Sequence, residues 1–507
     1  MRFSIAVLAL AVFLGCPAHA ANDAQAAPLV EQQIQRVEAA LPAVSKEGRT
    51  LELSLAGWMK ALRVPGLSIA VIEDYRIVWA KGYGVMAADA GDAPVTTATL
   101  FQAGSVSKPI AALAVLREVE SERFDLDADV NSYLRSWKLP DADPSSKGKV
   151  TLRDLLGHTA GITPGGFAGY SRDASLPTMQ QILEGVPPAS NRAARRASAP
   201  GAAVSYSGLG YTILQLALME RLGKPFEDII KASVFDPVGM RDSTFQSKLP
   251  DALAARAARG HRTSGEAIPG GWYVHPESAA AGLWTTASDL ALLWTEVAKS
   301  SAGRSDRLLS RDKTREMLSQ HRDQMGLGFV VRPGEAHGRF AHFGGNQGYR
   351  SHVEMFTSTG QGIVVMTNSD AGQLLTALLV RRVAQVHGWP VTEQRPLSLA
   401  STDAIFAQVD QARSARTRVN VEERLLKRYV GRYELAPGLE FEVTLAAGHL
   451  EVRLGDQPRF PAYAESEAKF YFEVVDAQIS FVLTDEGRVS ALILHQGGRD
   501  QRAKRIE

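Results

Sequence analysis

Cysteine is almost absent from this chain, since Cys16 is the single cysteine among 507 residues, and the formal net charge is only +1. One cysteine excludes an intrachain disulfide framework. A near-neutral charge gives no reason to expect nucleic acid as a partner, because phosphate-binding surfaces carry a clustered basic excess. The histidines lack a metal-ligand spacing such as H-E-x-x-H, and no glycine-rich phosphate loop ends in Lys-Ser or Lys-Thr. We therefore expect no metal site, no cofactor and no phosphoryl chemistry.

Long hydrophobic runs are also missing, and the short one at residues 3–15 belongs to a segment, 1–21, with the pattern of an export signal. Arg2 supplies its positive start, and Ala18-His-Ala20 offers a small-residue cleavage site. The apolar stretch is too short to span a bilayer. We expect cleavage after Ala20 and a periplasmic or secreted protein without a membrane span. The alternative is a lipoprotein box that leaves Cys16 acylated, but Phe13 fits such a box poorly.

Residues 22–387 have the pattern of one α+β domain. Two short strand patterns near residues 67–80 are followed by a helical middle, and strand patterns return at 326–331, 352–356 and 362–366. Strands at both ends of a helical region predict an antiparallel sheet closed by early and late segments, beside a helical domain.

A second, all-β domain is predicted at residues 421–507, after a polar linker at 388–420. Its short segments alternate apolar and polar residues at regular spacing, and five such segments lie between 439 and 494. This spacing is typical of a small barrel or a sandwich.

The motif Ser-x-x-Lys occurs four times, and Ser105-Val-Ser-Lys108 is the occurrence that precedes an apolar run, residues 109–116. A serine at the start of a buried helix, with a lysine one turn later, places a hydroxyl beside an amine that can accept its proton. Burial lowers a lysine pKa, and the helix N-terminus stabilises a developing oxyanion. The other three motifs lie in polar segments and are typical of loops or helix caps: Ser146-Lys149, Ser310-Lys313 and Ser466-Lys469.

Two further clusters support Ser105 as a nucleophile. Tyr206-Ser-Gly208 directly precedes a helical segment, so a tyrosine there can direct its oxygen at a neighbouring serine. His342-Phe-Gly344-Gly345 lies between strand patterns, where glycines permit a close approach to a ligand and leave an N–H group free. Each residue alone has a plainer interpretation: a buried aromatic for Tyr206, and a structural imidazole for His342.

In this order and spacing, the three clusters resemble the serine β-lactamase and penicillin-binding protein family, in the branch of class C β-lactamases, D-aminopeptidases and esterases. The resemblance covers roughly residues 45–385. It implies that Ser105 is the nucleophile, that Lys108 and Tyr206 share proton transfer, and that the backbone N–H groups of Ser105 and Gly345 form the oxyanion hole. It also places His342 at the first position of the family's Lys-Thr-Gly motif.

Three positions are expected to contact substrate by this resemblance, namely Gly208, His342 and Gly344. Gly208 stands where many relatives have an asparagine that bonds the substrate amide, and an imidazole at His342 is mostly neutral at pH 7. These departures favour a D-aminopeptidase-like peptidase or a carboxylesterase, acting on a small ester, amide or short peptide. The alternatives are a β-lactamase or DD-carboxypeptidase, and a slow-turnover acyl-binding sensor. The C-terminal domain resembles the lipocalin-like domains appended to some of these hydrolases.

Overall fold

The computed structural model describes residues 17–44, 50–88, 93–140, 148–163, 166–332, 337–390, 418–446, 448–455, 459–472, 477–496 and 499–506. Most of the predicted signal peptide, including Cys16, and most of the predicted linker lie outside these residues. Among the residues that are described, no helix has both the length and the apolar character needed to cross a membrane.

The N-terminal domain is built on a six-stranded antiparallel sheet with the strand order β4-β3-β10-β9-β8-β7. Its strands are β3 (Gly66–Glu73), β4 (Arg76–Gly84), β7 (Val330–Arg332), β8 (Arg339–Asn346), β9 (Tyr349–Phe356) and β10 (Gly362–Thr367). The first hairpin therefore pairs with the last strand along the chain, which confirms the predicted α+β class and the closure of the sheet by early and late segments. The short strands are β1 (Leu41–Val44), β2 (Thr50–Leu53), β5 (Phe101–Gln102) and β6 (Trp284–Thr285).

The predicted strand at 326–331 is shorter in the structure, because β7 begins only at Val330. Gly328 has a left-handed backbone (φ +86°), and a Cβ there would lie 2.5 Å from the Cβ of Ala112. A close approach to a helix thus replaces strand pairing just before β7.

Helices cover both faces of the sheet, which is why β10 is buried along its whole length. Alternate residues of β10 point to opposite sides: Val364 and Met366 join the larger hydrophobic core, while Ile363 and Val365 join the smaller one. The helices of this domain are α1 (Pro17–Ala39), α2 (Leu55–Leu62), α3 (Ser107–Glu120), α4 (Leu152–Leu156), α5 (Met179–Glu184), α6 (Gly208–Leu222), α7 (Phe226–Ile230), α8 (Asp236–Val238), α9 (Asp251–Ala254), α10 (Ser278–Ala281), α11 (Ala287–Ser301), α12 (Arg311–Met317) and α13 (Gly372–Val386).

Helix α3 is central to the larger core. Its residues from Ser107 to Leu116 are all buried, so it is apolar on nearly every side rather than on one stripe. A 3₁₀ turn over Gly104–Val106 leads into it and carries Ser105. The packing of α3 therefore sets the position of Ser105 relative to the sheet.

The C-terminal domain is a closed barrel of eight antiparallel strands, which decides between the two architectures predicted for it. The strands are β11 (Gly431–Ala436), β12 (Leu439–Ala446), β13 (His449–Leu454), β14 (Phe460–Ala464), β15 (Lys469–Phe472), β16 (Ala477–Leu483), β17 (Val489–Gln496) and β18 (Arg499–Arg505), preceded by helix α14 (Glu423–Tyr429). The Tyr429 ring at the end of α14 stacks on Phe481 with ring centroids 4.3 Å apart, and Phe470 and Tyr433 surround Phe481. Aromatic side chains thus pack the interior.

Candidate active site

Ser105 is held at the start of α3 by a braced turn. Gly104 has a left-handed backbone (φ +54°), and a Cβ at this position would lie 2.6 Å from the backbone nitrogen of Gly345. The Ser107 hydroxyl donates to the Gly104 carbonyl (2.6 Å) and accepts a hydrogen bond from the Leu283 N–H (3.1 Å). Only glycine at position 104 allows the turn to come this close to β8.

Lys108 lies one turn after Ser105 and is 2% exposed. Its Nζ is 3.1 Å from Ser105 Oγ and donates a hydrogen bond to the Ala280 carbonyl at 2.8 Å. Burial lowers the pKa of Lys108 to about 7, because the charged ammonium form loses its hydration. A large fraction of Lys108 is therefore neutral at pH 7, with a lone pair that can accept the Ser105 proton.

Tyr206 faces the same pair from the residue before the cap of α6. Its ring centroid is 4.9 Å from Lys108 Nζ. Burial of the hydroxyl raises the pKa of Tyr206 to about 12, and a hydrogen bond with Ser105 opposes part of that rise. The residue as a whole is 43% exposed, so one side of the ring faces solvent. At neutral pH the phenol keeps its proton and can donate it to a neighbouring atom.

His342 reaches the site from β8 on the sheet side and is buried. Its Nδ1 lies 2.8 Å from the Phe343 carbonyl, which can only accept, so Nδ1 carries the proton. Burial and the nearby Lys108 lower the pKa of His342 to about 3, against a small opposing effect of the Phe343 bond. The imidazole is thus neutral and cannot act as a fixed cation for a substrate carboxylate.

Gly344 and Gly345 bring β8 against the Ser105 turn. A Cβ on Gly344 would overlap the Ala103 carbonyl oxygen, and the Ser351 hydroxyl donates to that same oxygen at 2.9 Å. β7 pairs with β8 only at residues 339–341, so no strand of the described residues covers the outer edge of β8 beyond residue 341. The Gly345 nitrogen thus lies beside the Ser105 turn at an edge that a substrate can reach.

The structure brings six of the seven predicted site residues together around Ser105: Ser105, Lys108, Tyr206, His342, Gly344 and Gly345. Gly208 differs, because it is the buried first residue of α6 and has no side chain to offer. Three further neighbours of Lys108 and Ser105 were not predicted from the sequence: the Ala280 carbonyl, the Tyr211 ring 5.7 Å from Lys108 Nζ, and Gly104. A glycine directly before the nucleophile motif was the available signal for the turn.

No group of three or more His, Cys, Asp or Glu side chains suited to a metal ion occurs in the part of the chain that the structure describes.

The family model described as Beta-lactamase matches residues 36–387. The chain belongs to this family. Together with its relatives, this membership confirms the resemblance stated from the motifs and identifies a serine hydrolase. A second model, described as a domain of unknown function (DUF3471), matches residues 415–505 and covers the barrel.

Individual relatives are distant. Esterase EstB of Burkholderia gladioli is 32% identical over 204 residues, which are 39% of this chain and 51% of the esterase. A D-aminopeptidase of Gluconobacter oxydans is 25% identical over 67% of this chain and 62% of its own length. The chain therefore spans only part of these two relatives. A solved structure, the octameric penicillin-binding protein homologue from Pyrococcus abyssi, has a TM-score of 0.56 at 21% identity and covers 88% of this chain and 97% of its own.

Proposed function

We propose that this hydrolase forms an acyl-enzyme on Ser105 and releases it to water. The observation that carries the proposal is the 3.1 Å separation between Ser105 Oγ and an Nζ whose pKa burial lowers to about 7. A serine hydroxyl is a weak nucleophile unless an adjacent base takes its proton. Lys108 is the group at this distance whose pKa suits a base at neutral pH.

The chemistry divides into two matched halves. Neutral Lys108 accepts the Ser105 proton as Oγ attacks the substrate carbonyl carbon, and the carbonyl oxygen takes the negative charge. The backbone N–H groups of Ser105 and Gly345 stabilise that oxygen. The leaving group departs with a proton from Lys108, relayed by the Tyr206 hydroxyl, which stays neutral because its pKa is about 12. A water molecule then repeats the sequence on the ester carbonyl and regenerates Ser105.

For the substrate, we infer a short-chain ester or the amide of a small peptide or amino acid. A neutral, buried His342 provides no fixed positive charge for a carboxylate, and Gly208 provides no side-chain bond to a substrate amide. Phe343, the next residue on β8, is uncharged as well, and 51% of its surface is exposed. The likeness to an esterase and to a D-aminopeptidase supports both substrate classes.

The test compares p-nitrophenyl butyrate, D-alanine p-nitroanilide and the cephalosporin nitrocefin as substrates of the purified chain. We expect turnover of the ester or the D-anilide, with kcat/KM for nitrocefin at least about tenfold lower, a loss of about 1.4 kcal/mol in transition-state binding. Faster turnover of nitrocefin would assign the chain to β-lactam hydrolysis. Acylation without turnover of any substrate would assign it to acyl capture.

We also propose that the chain is exported through residues 1–21, with cleavage after Ala20. The support is the charge, apolar stretch and small-residue site of that segment. Intact-mass measurement of protein purified from the periplasm or medium should give a chain that begins at Ala21. An uncleaved chain in the cytoplasm, or a lipid adduct on Cys16, would contradict this assignment.

A further inference from the structure

His158 occupies an unusual position directly behind Tyr206. It follows helix α4, it is 2% exposed, and its backbone is left-handed (φ +59°), a conformation that few residues other than glycine adopt. A left-handed residue in a buried place persists only where its surroundings fix it. Hydrogen bonds and a ring contact hold His158 in place, and the same contacts position the segment that carries Tyr206.

His158 contacts the residues directly before and directly after Tyr206 in the chain. The Ser205 N–H donates to the His158 carbonyl at 2.7 Å, and the Ser207 N–H donates to His158 Nδ1 at 3.2 Å. The imidazole also lies against the Tyr206 ring, with centroids 4.2 Å apart and planes inclined by 31°. One residue therefore holds the backbone before Tyr206, the backbone after it, and its ring.

The protonation state of His158 agrees with this role. Because Nδ1 accepts from Ser207, the proton of the neutral ring is on Nε2. Burial, and then the nearby Lys108 and His342, lower the pKa of His158 well below its usual value. The ring therefore stays neutral, and Nδ1 keeps the lone pair that accepts the Ser207 N–H.

We propose that His158 is a positioning residue for the acylation step, which holds the Tyr206 hydroxyl in line with Ser105 through the Ser205 and Ser207 bonds and the ring contact. In the mechanism above it exchanges no proton with Ser105 or the substrate, and its hydrogen bonds and shortest ring contact go to Tyr206 and its chain neighbours. Its ring also lies 5.2 Å from that of Tyr211. The proposal rests on the proposed function, in which Tyr206 relays the proton. A displacement of about 1 Å at a catalytic group can lower a rate by up to about 100-fold. Loss of the His158 contacts should therefore produce a measurable fall in kcat/KM.

The test is a double-mutant cycle between positions 158 and 206, with kcat/KM for p-nitrophenyl butyrate as the readout. His158→Ala should lower kcat/KM roughly 10- to 100-fold. In the Tyr206→Phe background, which lacks the hydroxyl to be positioned, the same substitution should cost less than about twofold. His158→Asn should fall between Ala and wild type, because asparagine tolerates a left-handed backbone and its amide oxygen can accept the Ser207 N–H.

A matched control is His261→Ala. His261 is also fully buried and hydrogen-bonded through both ring nitrogens, to Asn368 and Ala88. Within the described residues, these bonds do not involve the candidate site. Below its unfolding temperature it should keep kcat/KM within about twofold of wild type. If His158→Ala does not fold, the cycle is run with His158→Asn.

Two results would overturn the proposal: unchanged kcat/KM in the His158 variants, or effects of the 158 and 206 substitutions that simply multiply. Failure of the proposed function looks different, since Ser105→Ala would then retain activity. The two failures are therefore distinguishable in one series of variants.

Discussion

The two domains bury very different kinds of side chains. The N-terminal domain buries Lys108, His158, His275, Glu277 and His342, and all but Lys108 leave at least one side-chain polar atom without a partner. In the described part of the barrel, by contrast, the only buried polar side chains are tyrosines, and the Tyr433 hydroxyl is paired with the Tyr429 carbonyl at 2.8 Å. Aliphatic and aromatic side chains fill its core. Buried, unpaired polar groups destabilise a fold, so they persist where they serve something other than stability. The difference places the unpaired buried polar groups that chemistry uses in the first domain, and none of that kind in the described barrel.

Ser105→Ala is expected to have the largest effect on activity. Removing the nucleophile should lower kcat/KM for p-nitrophenyl butyrate by about 1,000-fold or more, without a change in Tm beyond about 2 °C. The matched control is Ser310→Ala, since Ser310 also begins a Ser-x-x-Lys motif but its hydroxyl caps helix α12 by accepting the Lys313 backbone N–H. It should leave kcat/KM unchanged. A Ser105→Ala variant that keeps more than a tenth of the activity would contradict the assignment of chemistry to this site.

Lys108→Met separates function from stability at one buried position. Loss of the base should lower kcat/KM by about 100-fold or more, within the range that general base catalysis contributes. Tm should rise at pH 7, because methionine has a similar shape and no charge to desolvate. Lys313→Met, at a partly exposed lysine paired with Glu316, should change neither property strongly. A fall in Tm for Lys108→Met would show that the amine stabilises the fold.

Gly344→Ala tests the close contact between β8 and the Ser105 turn. The added Cβ would overlap the backbone oxygen of Ala103, which cannot rotate away. We expect a loss of about 1–3 kcal/mol in the free energy of unfolding and a loss of about 10- to 100-fold in kcat/KM. Gly166→Ala is the control, because a Cβ there meets no atom within 4 Å. Full activity of Gly344→Ala would show that the site does not need this approach.

The pH dependence of acylation should report the neutral form of Lys108. kcat/KM should rise about tenfold per pH unit below pH 7 and level off above it. Burial lowers the pKa of Lys108 to about 7, and only the neutral amine can accept the Ser105 proton. Stability should depend on pH through the same group. Between its folded pKa of about 7 and its unfolded value of 10.5, the unfolded chain binds the extra proton, so the free energy of unfolding rises with pH over that window.

The matched control for both curves is Lys108→Met. It should lose the rise in stability between these two pKa values, while the titrations of all other groups remain. An acylation rate that is flat from pH 5.5 to 8 would contradict a Lys108 base.

The smallest effect on activity is expected from the barrel. Phe481→Ala removes the ring at the centre of the aromatic cluster formed with Tyr429, Tyr433 and Phe470. It should lower the free energy of unfolding of the barrel by about 3–5 kcal/mol. Below that transition, kcat/KM should stay within about twofold of wild type. If the folded Phe481→Ala variant lost activity as well as stability, the barrel would contribute to the candidate site.

Local pattern accounts for much of what could be predicted. Residues 352–356 and 362–366 form strands because their apolar runs suit a pleated sheet, and the alternation of residues 439–445 places Phe441 and Val443 inside the barrel. The pairing of Ser105 with Lys108 was also readable, because residues one helical turn apart are neighbours. The roles of Tyr206, His342 and Gly345 came instead from the resemblance to a known family.

What could not be predicted depends on contacts between distant segments. The Ala280 carbonyl that accepts from Lys108 is 172 residues away in sequence, and nothing in its alanine-rich surroundings indicates chemistry. The early end of β8–β7 pairing and the left-handed turn at Gly104 likewise follow from how α3 packs on the sheet. His158 shows the same limit, because its role lies in its contacts with Ser205 and Ser207 rather than in its residue type.

The most direct test of the central claim is intact-mass spectrometry with peptide mapping after treatment with a fluorophosphonate, which phosphonylates activated serines. We expect one adduct per chain, mapped to Ser105, and none on Ser105→Ala. An adduct that persists on Ser105→Ala, or an unlabelled wild-type chain that still hydrolyses the ester, would contradict it.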